Sequence, residues 1–173
     1  MLFSKLTQLL GGERQLKGKT IAVWGLAFKP NTDDVGEASS RTLIEALLQA
    51  GAFIQAFDPT ATNEIARIYG QIAGLTLSPD KYAALQNADA LVICTEWQHF
   101  CAPDFYEMSK RMSSKVIVDG RNLYNFLKLQ SEGWVYHSVG RVSTSGMEKH
   151  VPSLSHLLCK ATNKKAYCKE NSK

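Results

Sequence analysis

The chain has 173 residues, 45% of them hydrophobic and 21% charged, ordinary values for one soluble globular domain with a sizeable core. Its net charge of +4 is unevenly placed: residues 1–140 carry 13 Lys and Arg against 14 Asp and Glu, whereas 141–173 carry seven against two. A basic tail without a basic, aromatic-interleaved face argues against nucleic-acid binding, and no run approaches the ~18 apolar residues of a membrane span.

Residues 2–10 place Leu2, Phe3, Leu6, Leu9 and Leu10 near helical spacing, and Gly11-Gly12 supply the stop. Such a helix either packs its apolar face on the domain or ends a longer helix. No continuous apolar stretch or cleavage site follows Met1, so a secretory leader is not expected and a cytoplasmic location is the default. Thr20–Trp24 has the composition of a buried strand. Residues 39–50 form a helical pattern, with Ser39 or Ser40 as the expected N-cap and Gly51 just past its end. Residues 52–57 predict a second strand stopped by Asp58-Pro59, 62–69 a helix ended by Gly70, 75–77 a short strand and 80–87 a short helix. Residues 90–94 are a continuous apolar strand. Residues 103–112 are helical, with Pro103 at or near the first helical position. Residues 115–119, 125–132 and 134–139 predict a strand, a helix closed by Gly133, and a last strand.

Strands alternating with helices imply an α/β fold, a Rossmann-like three-layer sandwich around a mostly parallel sheet with right-handed crossovers. The apolar runs lack period-two alternation, as expected for strands covered on both faces. The expected organisation is an opening segment over 1–16 that holds the end of a helix, an α/β domain over 17–141 and a basic, mobile tail over 142–173.

In a parallel sheet the loops after Trp24, Cys94 and Asp119 rise on one edge, and common doubly wound orders bring the first and fourth strands together at the switch point. Lys29, Glu96, Trp97 and Arg121 then converge on one crevice. Two cations and an aromatic suit a nucleotide diphosphate: Lys is a point charge, Arg a bidentate fork. Spacing alone leaves Lys29 and Arg121 equally open to being surface charges on loops. Asp33 and Asp34 lie just ahead of a helix, where carboxylates satisfy free amides or hold a loop. Asp58 stands where a dinucleotide domain keeps its ribose-binding acid. The preceding loop, however, has one Gly where G-x-G-x-x-G needs three, so a turn-forming Asp-Pro is expected instead. Cys94, Cys101, Cys159 and Cys168 form no C-x-x-C, and His99, His137, His150 and His156 complete no metal or triad signature. No catalytic residue and no metal ligand is assigned. The thiols are expected to be reduced, with Cys94 buried and inert.

Gly25-Leu26-Ala27-Phe28-Lys29-Pro30-Asn31-Thr32-Asp33-Asp34 is similar to the signature that opens the C-terminal, UDP-binding domain of UDP-glucose 6-dehydrogenases. Cys94-Thr95-Glu96-Trp97-Gln98-His99-Phe100, Val118-Asp119-Gly120-Arg121-Asn122 and Tyr136-His137-Ser138-Val139-Gly140-Arg141 follow in the family's order. The Thr-Glu-Trp stretch favours the UDP-glucose branch over the UDP-N-acetylmannosamine and GDP-mannose dehydrogenases. The resemblance implies that Phe28, Lys29 and Arg121 contact the UDP part of UDP-glucose or UDP-glucuronate. It also implies that the opening helix ends a longer connecting helix, and that the intact enzyme is a homo-oligomer serving polysaccharide biosynthesis. That enzyme oxidises UDP-glucose to UDP-glucuronate with NAD through a thiohemiacetal and thioester on a catalytic Cys. The resemblance covers only the C-terminal third: the NAD-binding domain and that Cys have no counterpart here, and Cys94 and Cys101 sit in other contexts. The family Arg that reaches toward the cofactor is Gly36 in this sequence. The chain alone is therefore expected to be inactive and to bind NAD weakly or not at all. The rival reading is a non-catalytic module that binds a nucleotide sugar or pairs with a full-length subunit.

Overall fold

The computed structural model describes residues 1–140; the expected tail, with Arg141, His150, His156, Cys159 and Cys168, lies outside the described residues. Six strands form one sheet: β1 (Thr20–Trp24), β2 (Phe53–Phe57), β3 (Leu75–Leu77), β4 (Ala90–Ile93), β5 (Val116–Asp119) and β6 (Val135–Ser138). All neighbours are parallel and the order is β3-β2-β1-β4-β5-β6. This is the doubly wound order, with its reversal between β1 and β4. Val23 and Trp24 of β1 lie beside Val92 and Ile93 of β4, so the loops that leave these two strands start side by side.

The central strands are apolar throughout because both of their faces are covered. Ile21 to Trp24 and Ala90 to Ile93 are fully buried. The helices are α1 (Leu2–Leu9), α2 (Ser39–Gln49), α3 (Thr62–Tyr69), α4 (Phe105–Arg111) and α5 (Phe126–Ser131). Leu6 of α1 is fully buried, and the helix packs against α2 and β5. The opening apolar face therefore belongs to this core. Trp24 stacks on Phe100 with centroids 5.0 Å apart, tying the end of β1 to the loop after β4.

Several ends differ from the sequence expectation. Neither Ser39 nor Ser40 caps α2. Ala38 holds the cap position without a side-chain acceptor, and the buried Ser40 hydroxyl instead donates to Leu26 O at 2.6 Å. Pro103 precedes the cap of α4, and the Asp104 carboxylate accepts from the amides of Tyr106 and Glu107. Asn125 caps α5 by accepting from Lys128 N. The helix expected over 80–87 contracts to a 3-10 turn at Ala83–Leu85. Asp80 takes the Tyr82 and Ala83 amides there, and the Trp24 indole donates to Lys81 O. A second 3-10 turn, Gln98–Phe100, carries Phe100 inward. No helix among the described residues is long and apolar enough to cross a membrane.

Candidate functional site

The loops after β1, β2, β4 and β5 meet at the C-terminal edge of the sheet. The loop after β1 begins at Gly25, whose φ is +86°. A Cβ there would lie 2.6 Å from Thr95 Cβ and 2.7 Å from Thr95 N, so only Gly lets this loop pass the end of β4. Thr95 then donates from Oγ1 to Ala27 O at 2.5 Å. Asn31 supplies a left-handed residue at φ 61° that turns the loop back. Phe28 N donates to Asp34 O at 2.7 Å, closing it. Asp34 accepts from Gly36 N at 2.9 Å, so its carboxylate holds the loop and not the amides of α2.

Asp58, at the end of β2, anchors this assembly. It is 2% exposed. Its Oδ1 accepts from the amides of Thr60 at 2.9 Å and Ala61 at 2.8 Å, the turn expected of Asp-Pro. Its Oδ2 accepts from Leu26 N at 2.7 Å, Ala27 N at 3.1 Å and Trp97 Nε1 at 3.0 Å. One buried carboxylate thus joins the loops after β1, β2 and β4. Trp97 is accordingly core, 7% exposed, and offers no stacking surface. The same bonds bear on a dinucleotide. The amides after β1 that such a loop presents to a pyrophosphate are here taken by Asp58. At Gly36, exposed and outside the left-handed region, no side chain reaches outward. The described residues do not fit a dinucleotide cofactor.

Asp119 does for the loop after β5 what Asp58 does for the others. It is fully buried. It accepts from the amides of Arg121 at 2.7 Å, Asn122 at 2.9 Å and Leu123 at 2.7 Å, and from Tyr136 Oη at 2.8 Å. Gly120 fits because a Cβ would lie 2.8 Å from Ile93 O. Arg121 is thereby aimed across the switch point. Its Nε donates to Cys94 O at 2.8 Å and pairs with Glu96 Oε2 at 2.9 Å, while Nη2 lies 3.4 Å from Phe28 O. The guanidinium, with side-chain exposure of 35%, touches the loops that carry Phe28 and Glu96.

Of the residues singled out by sequence, Phe28 and Arg121 meet here, and Lys29 is adjacent in the chain. Phe28 is 49% exposed, and Lys29 is exposed with no hydrogen bond or ion pair among the described residues. The Asp58 bonds to Leu26, Ala27 and Trp97 were not foreseen. An acid ending β2 without a Gly-rich loop upstream was the available signal. Cys94 is buried, and burial pushes its thiol up to about 12, which suits an inert core position. Cys101 is exposed. Among the described residues no cluster of three or more His, Cys, Asp or Glu could hold a metal ion.

The family model described as the UDP-glucose/GDP-mannose dehydrogenase family, UDP binding domain, matches residues 22–126. A UDP-glucose 6-dehydrogenase of Pseudomonas aeruginosa is 45% identical over 144 residues, 82% of this chain and 31% of the relative. The UDP-glucose 6-dehydrogenase TuaD of Bacillus subtilis is 38% identical over 156 residues, 88% of this chain and 33% of the relative. Among solved structures, a UDP-glucose dehydrogenase from the hyperthermophilic archaeon Pyrobaculum islandicum matches with a TM-score of 0.63 at 31% identity, over 79% of this chain and 28% of that one. The chain spans roughly a third or less of the length of these proteins.

Proposed function

The chain belongs to the UDP-glucose/GDP-mannose dehydrogenase family, with residues 22–126 matching its UDP binding domain, and on that premise we propose that it holds the UDP part of a UDP-sugar through Phe28, Lys29 and Arg121. The observation that carries this reading is the position of Arg121. Its guanidinium bridges the loops after β4 and β1 at the point where the strand order reverses, the place where open α/β sheets bind ligands. Nη1 makes no hydrogen bond among the described residues and is available to a phosphate oxygen. Lys29 adds a second positive charge, and the exposed Phe28 ring adds an apolar surface for the base or ribose.

The whole enzyme, on this reading, is a UDP-glucose 6-dehydrogenase that oxidises UDP-glucose to UDP-glucuronate with NAD and acts as a homo-oligomer. NAD would supply the hydride acceptor, and its binding belongs to the part of that enzyme outside this chain, because Asp58 already occupies the amides that a dinucleotide would need here. No catalytic residue is assigned within the chain, and Phe28, Lys29 and Arg121 act by binding and orienting. The competing reading, a subunit-pairing module without a nucleotide site, makes a different prediction. Calorimetric titration with UDP, UDP-glucose and free glucose decides between them. We expect heat from both nucleotides and none from glucose, and Arg121→Lys should weaken UDP about fivefold or more because the planar fork is lost while the charge remains. Equal responses to UDP and glucose would remove the nucleotide site, and an unchanged Arg121→Lys affinity would remove Arg121 from it.

A further inference from the structure

We propose that Glu96 selects what the diphosphate carries, favouring a diphosphate capped by a sugar over a free nucleoside diphosphate. The inference rests on the reading that Arg121 receives the diphosphate. Of the carboxylates at the ends of β2 and β5 and in the loop after β4, two are spent. Asp58 takes five N–H donors and Asp119 takes three amides and the Tyr136 hydroxyl. Both are buried and face the protein. Glu96 differs: its side chain is 43% exposed, its Oε2 lies 2.9 Å from Arg121 Nε, and its Oε1 has no hydrogen bond among the described residues. A negative charge with a spare acceptor oxygen therefore stands beside the cation assigned to the phosphates.

Such a group acts in two directions. A nucleotide sugar carries one charge on each phosphate, and its sugar hydroxyls can donate to Glu96 Oε1. A free nucleoside diphosphate has no such donor and carries about one further negative charge on its terminal phosphate near neutral pH, since the second ionisation of a phosphate monoester has a pKa near 6. The same carboxylate thus repels the free diphosphate by about one charge more while offering the sugar an acceptor, and both differences favour the capped ligand. Like charges within several ångströms at a partly exposed site differ in affinity by about three- to tenfold, reduced by salt.

The test uses the full 173-residue chain, with UDP-glucose and UDP titrated at low ionic strength into wild type, Glu96→Gln and Glu96→Asp. Both ligands bring the same uridine and diphosphate, so any change in how well Arg121 is oriented cancels in the ratio of their affinities. We expect Glu96→Gln to shift that ratio toward UDP by about three- to tenfold, and Glu96→Asp, which keeps the charge, to hold it near the wild-type value. An unchanged ratio in Glu96→Gln, with both ligands still bound, overturns the inference and leaves the UDP site standing. A Glu96→Asp ratio equal to that of Glu96→Gln also overturns it, because the pairing geometry and not the charge would then be responsible. Wild-type chain that binds neither nucleotide sinks the UDP site and this inference with it. Melting temperatures of the three proteins, expected to agree because residue 96 is exposed, exclude unfolding as the cause.

Discussion

Removing the Asp58 carboxylate should do more damage than removing any charged residue on the surface of the site. Asp58→Ala strands five donors: the amides of Leu26, Ala27, Thr60 and Ala61 and the indole of Trp97. An unsatisfied buried donor costs about 1–3 kcal/mol, and such costs do not add fully, because water enters and the loops relax. A net loss of about 3–5 kcal/mol is therefore expected, which for a folded unit of this size lowers the melting temperature by roughly 10–15 °C. Asp58→Asn should recover little. Its Nδ2 must face either the Thr60 and Ala61 amides or the Leu26, Ala27 and Trp97 donors, so one set meets a donor. Circular-dichroism melts measure the stability, and UDP titration well below the transition measures the site, which should weaken because the Phe28–Lys29 loop has lost its anchor. A melting temperature within about 3 °C of wild type, or full UDP affinity in Asp58→Ala, would refute this account of how the loops are held.

Gly25→Ala should lower the melting temperature by more than about 10 °C or prevent folding, since a Cβ would sit 2.6 Å from Thr95 Cβ at a φ of +86°. Gly36→Arg should be tolerated within about 0.5 kcal/mol by thermal melt and leave UDP affinity unchanged, because the residue is exposed, lies outside the left-handed region, and its Cβ would be 3.2 Å from the movable Asp34 Oδ1. The same variant joined to a related NAD-binding half should tighten NAD in a titration. Iodoacetamide at pH 8 followed by peptide mapping should modify Cys101 and spare Cys94, whose thiol is buried and pushed up to about 12. His137 is buried beside Lys5, and burial first, then that charge, lowers its pKa from 6.5. The unfolded chain then binds the proton more readily, so stability should fall as pH drops through and below about 6.5. His137→Gln should flatten a plot of melting temperature against pH between 7 and 5.

The strands were legible because their cause is local. An unbroken run such as Ala90-Leu91-Val92-Ile93 can be buried on both faces only in the middle of a parallel sheet, and that is where it lies. The glycines at 51, 70 and 133 marked helix ends for the same reason, each adopting a positive φ. Local signals failed where a distant group competed for a backbone amide or a side chain. Ser40 has the residue type of an N-cap, yet its hydroxyl is drawn under the signature loop to Leu26 O. Residues 80–87 have helical spacing, but the Trp24 indole, 57 positions away, takes Lys81 O, and the segment settles as a 3-10 turn. At the site, Arg121 could be placed from topology, whereas Trp97, expected to line the crevice, is drawn into the core by Asp58, whose bonds to Leu26 and to Trp97 span 32 and 39 positions and left no local trace.

The two buried aspartates explain how a sheet edge of dinucleotide type is fitted to the different site proposed above. Asp58 ends β2 and Asp119 ends β5, one in each half of the doubly wound sheet. Each neutralises the amides of the loop that follows it and then reaches one element further, Asp58 to the loops after β1 and β4, Asp119 to Tyr136 of β6. Amides held in this way cannot bind an outside anion, so backbone recognition of a phosphate is closed off at these two loops. On the proposed reading recognition passes to side chains, and the cations left at the switch point among the described residues are Lys29, which has no hydrogen bond or ion pair there, and Arg121, which is held at Nε with Nη1 open. A fixed guanidinium defines where a phosphate sits, while a free ammonium follows it. Arg121 should therefore determine ligand geometry and Lys29 mainly the strength of attraction. Raising the salt concentration should consequently erode the Lys29 contribution faster than that of Arg121, and titrations of Lys29→Ala and Arg121→Ala at two ionic strengths measure the difference. Equal salt dependence in the two variants would mean that the guanidinium, too, acts only as a charge.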